Sequence, residues 1–146
     1  VHHNVRIEAR VLEKMLTHAR ENPAEECCGL LAGRDSVITH AFPAANDSPN
    51  SATSYEIAPR EILARIREMR TSGLELLGIY HSHPATANEP SPRDISQAYY
   101  PDAAYFILSP QPDAPRPVRA FSIRDGRVTE IEIKVVSNED LNDQSA

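Results

Sequence analysis

The sequence predicts a mixed β-sheet in an α/β or α+β sandwich, on three observations. Short apolar runs of strand length alternate with three stretches of helical period. One run, Leu74 to Tyr80, is apolar at nearly every position, as in a strand buried on both faces. The chain then ends in a hairpin pattern around Asp125-Gly126. At 146 residues there is material for one core, covering roughly two thirds of the unfolded surface. Residues 1–136 are expected to form one domain, with a polar, frayed tail over 137–146.

Taken in order, Ile7, Val11, Leu12, Met15, Leu16 and Ala19 recur at helical spacing and predict an amphipathic helix that stops before Pro23. Cys28 to Ala32 reads as a strand closed by Gly33, and Val37 to Phe42 as its partner after a turn at Arg34, Asp35 and Ser36. A short strand is expected at Tyr55 to Ile57. Pro59 opens a second helix with Ile62, Leu63, Ile66 and Met69 on one face and Gly73 at the C-terminal cap. The Leu74–Tyr80 strand runs straight into His81-Ser82-His83-Pro84. A third helix is expected from Pro92 to Tyr100, then a strand at Tyr105 to Leu108. In the final hairpin, Val118 to Ile123 pairs with Val128 to Val136, with Ile131, Ile133 and Val135 alternating toward the core.

Composition narrows the function classes. The formal net charge is -6 and no Lys/Arg block tracks a phosphate backbone, which argues against nucleic acid and against anionic membrane surfaces. No apolar run reaches the ~20 residues of a transmembrane helix, and no basic-then-apolar leader pattern opens the sequence, so the expected compartment is the cytoplasm. Cys27 and Cys28 are the only cysteines; adjacent residues rarely satisfy disulfide geometry, and free thiols fit a reducing compartment. Proline is high at twelve residues, and the excess falls between the periodic segments, as in ordered loops.

The chemistry gathers after the buried run. In an extended chain, residues i and i+2 share a face, so His81 and His83 aim two imidazoles at one point. Asp94, eleven residues beyond His83, offers a third donor. Two nitrogens, a carboxylate and an open position suit zinc better than magnesium or calcium. Ser91-Pro92-Arg93-Asp94 also reads as a helix start, with Ser91 as N-cap, Pro92 at N1 and Asp94 at N3, and that role is compatible with ligation. A zinc hydrolase also needs a general base. Glu25 and Glu26, at the edge of the buried-looking run Cys27-Cys28-Gly29-Leu30-Leu31, are both candidates, and as strand neighbours only one can face a metal.

Together these residues resemble the JAMM/MPN metalloproteases: a glutamate, then H-x-H, then S-x-x-D with ten residues between the second histidine and the aspartate. Residues 84–93 supply that gap, and Glu26-Cys27-Cys28-Gly29-Leu30-Leu31 is similar to the family's E-x-C-G-L-L, which selects Glu26 over Glu25. The resemblance covers residues 5–135. It implies a curved mixed sheet flanked by helices, with layering like that of cytidine deaminases. It further implies one zinc held by His81, His83 and Asp94, Glu26 acting on water at the metal, and Ser91 donating to the oxyanion. Cys28 matches the family's cysteine and reads as a small core residue. His2, His3, His18 and His40 match nothing in the pattern.

Two other zinc classes lack their signatures. The H-x-E and P-C-x-x-C of deaminases are absent, as is H-E-x-x-H. A noncatalytic module of the same fold is disfavoured by the intact ligand set. The small single-domain branch implies, as substrate, the C-terminal Gly-Gly tail of a ubiquitin-like sulfur-carrier protein, with less selective small-peptide hydrolysis as the alternative. The expected geometry sets the zinc beside a sheet edge, where an extended tail adds as a further strand.

Overall fold

A computed structural model describes residues 4–137. Among them the elements run β1 (Asn4–Glu8), α1 (Ala9–Glu21), β2 (Cys28–Arg34), β3 (Val37–Ala44), α2 (Pro59–Thr71), β4 (Glu75–Ser82), α3 (Pro92–Ser96), β5 (Ala104–Leu108), β6 (Val118–Arg124) and β7 (Arg127–Val136). The expected mixed sheet with flanking helices is borne out, and its curvature carries through to closure. The strands join in the order β1-β3-β2-β4-β5-β6-β7, and β1 pairs in parallel with both β3 and β7.

β4, which carries the histidines, is flanked by β2 and β5, while β1 pairs with β3 only at Val37 and Ile38, so among the described residues the remainder of β3 is laddered to β2 alone. Closure depends on β1, which the helical reading of Ile7 concealed. Ile7 lies four residues before Val11 and fits the helical period, yet it is a fully buried strand residue opposite Ile38 and Val135. Strand passes into helix at Glu8 with no intervening turn. The hairpins use two-residue turns with positive φ, Asp35 (52°) and Ser36 (63°) in one, Asp125 (50°) and Gly126 (76°) in the other, matching the right-handed strand twist.

The two faces of the sheet carry separate cores. Val11, Met15 and Ala19 of α1 pack with Leu31, Tyr80, Phe106 and Leu108 on one face. Met69 of α2 packs with Leu30, Ile79, Tyr105 and Ile107 on the other, joined by Ile62 and Ile66, while Leu63 stays half exposed. Each fully buried Leu, Ile or Met contributes roughly 1.5–3 kcal/mol. The exposed Arg65–Glu68 pair, by contrast, contributes ~0.3–0.5 kcal/mol. The apolar faces therefore fix the frame on which the site is built.

The end of α2 shows why the chain turns into β4 where it does. Gly73 sits at φ 70°, and the amides of Gly73 and Leu74 donate to the carbonyls of Arg70 and Met69. This is a Schellman cap, closed by burial of Leu74 and Met69 in one cluster. Other departures are local. Tyr55–Ile57 joins no strand, and α3 stops at Ser96 rather than Tyr100. Val135 is exposed while Val136 is buried, so the alternation of β7 shifts at its end. Residues 138–146 of the expected tail lie outside the described residues, as do His2 and His3.

Candidate metal centre

Register places the acidic and imidazole groups together. β2 and β4 are antiparallel with Cys28 opposite His81; continuing both chains outward sets Glu26 opposite His83. Directly opposed residues point to the same side of a sheet. Cys28 belongs to the core beneath α2, so that is the side on which this group lies. Beyond the strand ends the backbone is still tied: Ser82 N–H donates to Cys27 O (3.0 Å), and His83 N–H donates to Leu108 O (2.9 Å). Cys27 N–H donates to Ser82 Oγ at 2.9 Å, so the serine between the histidines locks β4 to β2.

Asp94 arrives from α3, whose Ile95 packs on the α2-side core. The helix start expected from Ser91-Pro92-Arg93-Asp94 forms as a capping box: Asp94 N–H donates to Ser91 Oγ (3.1 Å), and Ser91 N–H donates to Asp94 Oδ2 (2.9 Å). In that cap Ser91 Oγ is an acceptor, so its own O–H proton is not consumed by it.

The three donor atoms form a nearly equilateral triangle. His81 Nε2 and His83 Nε2 are 3.1 Å apart, and Asp94 Oδ2 is 3.1 Å from the first and 3.0 Å from the second. All three side chains are largely buried. Glu26, 5% exposed, offers a carboxylate oxygen within 4.8 Å of both imidazoles, and its Oε1 has no hydrogen-bond partner. Asp94 Oδ2 is at hydrogen-bond distance from both ring nitrogens, and Glu26, His81 and His83 together form a group able to hold a metal ion. Glu25 is exposed. Both cysteines are free and buried; burial pushes Cys27 up and Cys28 up to about 12, so neither is primed as a nucleophile.

The hydrogen-bond chemistry of this cluster calls for a cation. His83 Nδ1 meets the Ala87 carbonyl at 2.8 Å. A carbonyl only accepts, so Nδ1 carries the proton, and in a neutral ring Nε2 then presents a lone pair. That lone pair faces a carboxylate oxygen, which is acceptor against acceptor. Without a metal a proton relieves the conflict. Burial pushes His83 down, but hydrogen bonds to Asp94 and Ala87 outweigh it and the net shift is upward. Asp94 is pushed up by burial yet held well below the carboxylate range by the two imidazoles. His81, fully enclosed, is driven down by burial despite Asp94.

A metal relieves the same conflict with all donors deprotonated. Tetrahedral zinc with ~2.0–2.1 Å bonds sets its ligand atoms roughly 3.3 Å apart. This is within a few tenths of an ångström of the observed triangle, and two imidazoles and a carboxylate are an ordinary zinc donor set. Beside the triangle an apolar cavity of about 520 Å³ opens between α2 and the segment after α3, lined by Tyr55, Ile62, Ile66, Tyr99 and Tyr100 among others. Tyr55 is shared: its ring stacks on His81 with centroids 4.3 Å apart.

A closed mixed sheet with helices on its faces thus carries a histidine pair at a strand end with a buried glutamate beside it, a group able to hold a metal ion. The chain belongs to the prokaryotic branch of the JAB (JAMM/MPN) family, whose model, described as prokaryotic homologs of the JAB domain, matches residues 8–124. It is 36% identical over 133 residues to the CysO-cysteine peptidase of Mycobacterium tuberculosis, covering 89% of this chain and 90% of that one. It is 35% identical over 104 residues to a desampylase of Haloferax volcanii, covering 67% of this chain and 75% of that protein. The solution structure of a Desulfitobacterium hafniense protein superposes with a TM-score of 0.80 at 34% identity, covering 92% of this chain and 94% of that one. The sequence reading of the family therefore holds. Among the described residues, no helix is long and apolar enough to cross a membrane.

Proposed function

We propose that the chain is a zinc peptidase holding one zinc through His81, His83 and Asp94, and hydrolysing the bond that follows the C-terminal Gly-Gly of a ubiquitin-like sulfur-carrier protein. The observation that carries the metal part is the triangle of lone pairs 3.0–3.1 Å apart, which includes two facing acceptors, His83 Nε2 and Asp94 Oδ2. Zinc bound there supplies Lewis acidity and makes water acidic near pH 7.

Glu26 takes the proton of the attacking water and returns it to the leaving amine. Burial raises its pKa to about 7, with Asp94 adding to the rise and His83 and Arg93 opposing it, which suits a group that must both accept and donate near neutrality. Ser91, held at the N-cap by its lone pairs, donates its O–H to the developing oxyanion.

The Ser91 role separates from capping in one substitution. Ser91→Gly keeps most of the cap, losing only a few tenths of a kcal/mol. The missing donor is expected to lower kcat by ~10²–10³. Near-wild-type melting with this loss of kcat is the expected pair of measurements; wild-type kcat would leave capping as the serine's only role.

The substrate part rests on the family resemblance and on relatives named a desampylase and a CysO-cysteine peptidase, the second name joining a protein to a single amino acid. β4 itself is enclosed by β2 and β5, so a tail that adds as a strand does so on β3, whose outer edge past Ile38 has no ladder partner among the described residues. The test compares kcat/KM on one carrier ending in Gly-Gly plus an added residue with the same carrier carrying Ala-Val in place of the glycines. Preference for Gly-Gly by at least ~10-fold is expected, in line with the few kcal/mol that small apolar groups contribute to discrimination. Equal rates would leave a less selective peptidase.

A further inference from the structure

The two histidines of the centre are oriented by different means. A metal-ligating histidine ordinarily donates its far N–H to a carbonyl or carboxylate, which fixes the ring plane. His83 does so through Nδ1 and Ala87 O at 2.8 Å. The loop bearing Ala87 is itself pinned, with Asn88 Nδ2 donating to Ile107 O and Arg116 O, and Gln111 Nε2 donating to Pro84 O. His81 has no counterpart: it is 1% exposed, and its Nδ1 is buried without a hydrogen-bond partner. In place of a polar partner it has a flat one. The Tyr55 ring lies against the imidazole at 4.3 Å between centroids and 20° from parallel.

Tyr55 belongs to the segment between β3 and α2 that joins no sheet, and one side chain fixes it there. The Asn46 carboxamide spends both kinds of bonding capacity on this segment. Its Nδ2 donates to Ser54 O and Glu26 O, both at 2.9 Å, and its Oδ1 accepts from Glu56 N–H at 3.1 Å and Ser48 N–H at 2.9 Å. It thus grips the residues on either side of Tyr55 and ties them to the backbone of Glu26. Asp47 N–H to Glu56 O (2.8 Å) and the Ser48–Ser54 hydroxyl pair (2.6 Å) brace the same turn.

We propose that Tyr55, held by Asn46, is the positioning residue that orients His81 for the metal, its aromatic face standing in for the missing hydrogen bond. This rests on the zinc reading above. A ring restrained on its face cannot swing about its Cβ–Cγ bond without driving into the tyrosine, so Nε2 stays aimed at Asp94 and His83. The ring face does this work and the hydroxyl does not.

The test reads metal binding rather than turnover. Zinc affinity of the full chain is measured by chelator competition for Tyr55→Phe, Tyr55→Leu and Tyr55→Met, alongside the visible absorption of the cobalt(II)-substituted proteins and the melting of the metal-free ones. Leucine and methionine both remove the flat face at similar volume, one branched and one flexible, so two independent chances exist of a folded variant without the ring. Both are expected to lose ~10–100-fold in zinc affinity, the range for residues that orient a ligand, with altered cobalt bands. Phenylalanine should bind like wild type with an unchanged spectrum. Wild-type affinity in the leucine and methionine variants would overturn the role of Tyr55 while leaving the zinc assignment standing. Loss in phenylalanine equal to that in leucine would overturn it in favour of the hydroxyl. A wild-type protein that binds no zinc would overturn the zinc reading itself.

Discussion

Glu26→Gln is expected to abolish nearly all hydrolysis while leaving zinc and fold in place. Positioned acid-base groups contribute ~10²–10⁴ in rate, and the glutamine amide cannot take up a proton at these pH values. The substituted protein should therefore carry the wild-type zinc content and lose kcat by that factor, with Glu25→Gln, an exposed position, close to wild type. A working Glu26→Gln enzyme with an inactive Glu25→Gln one would shift the base by one residue.

The pH dependence follows from the same residue. With its pKa raised to about 7, Glu26 must lose a proton to act as base, so kcat/KM falls as pH drops through that value. A bound dication adds attraction for the carboxylate, so the acid limb of the holoenzyme lies at or below about 7. Metal-free protein gives the complementary reading by melting. A carboxyl at about 7 when folded and 4.5 when unfolded binds its proton more tightly in the folded state. Its ionisation thus destabilises the fold increasingly as pH rises from 4.5 to about 7, fully above that, and not at all below 4.5. Glu26→Gln should therefore raise the melting temperature of metal-free protein at pH 8 and leave it unchanged at pH 4.

Removing any one of His81, His83 or Asp94 is expected to cost more zinc affinity than any surrounding change, beyond the ~100-fold ceiling for residues that merely orient ligands. Metal analysis should find close to one zinc per wild-type chain and far less in each alanine variant. Asp94→Ala should also melt lower by the ~1 kcal/mol of a lost cap, because Oδ2 serves both the metal triangle and the Ser91 amide. His81→Ala and His83→Ala lack that second loss. Full zinc content in all three would remove the site assignment.

Much of this fold was legible from periodicity. β2, β3, β4, β5, α1 and α2 each stand within a few residues of where the apolar spacing placed them, because burial on one or two faces imprints a period on a short stretch of chain. β1 was not legible: its pairing partners, β3 and β7, are remote in sequence, and its Ile7 fits the helical spacing of α1 as well as a strand. Tyr55–Ile57 has strand-like composition but is held by the Asn46 side chain and a single backbone bond from Asp47 rather than by a ladder, a distinction that composition does not carry. Asn46 lies in a loop rich in proline and asparagine, where such a residue reads as turn chemistry. Nothing short of the fold reveals that its amide reaches Glu26.

What the sequence determined by itself was the local geometry of the site: the two-residue spacing that aims His81 and His83 the same way, and the Ser91–Asp94 cap that fixes a carboxylate in a first helical turn. These arise within four residues, from strand parity and from unsatisfied helix-terminal amides, and need no distant partner. The tertiary structure decided everything that depends on remote segments meeting. It brought Glu26, which the motif had already singled out, beside the two imidazoles through the register of β2 on β4, joined the ends of the sheet through β1, and laid Tyr55 on His81. Pairing register and burial are settled by which packing of the whole chain covers the most apolar surface, and that is a property of the assembled core rather than of any motif.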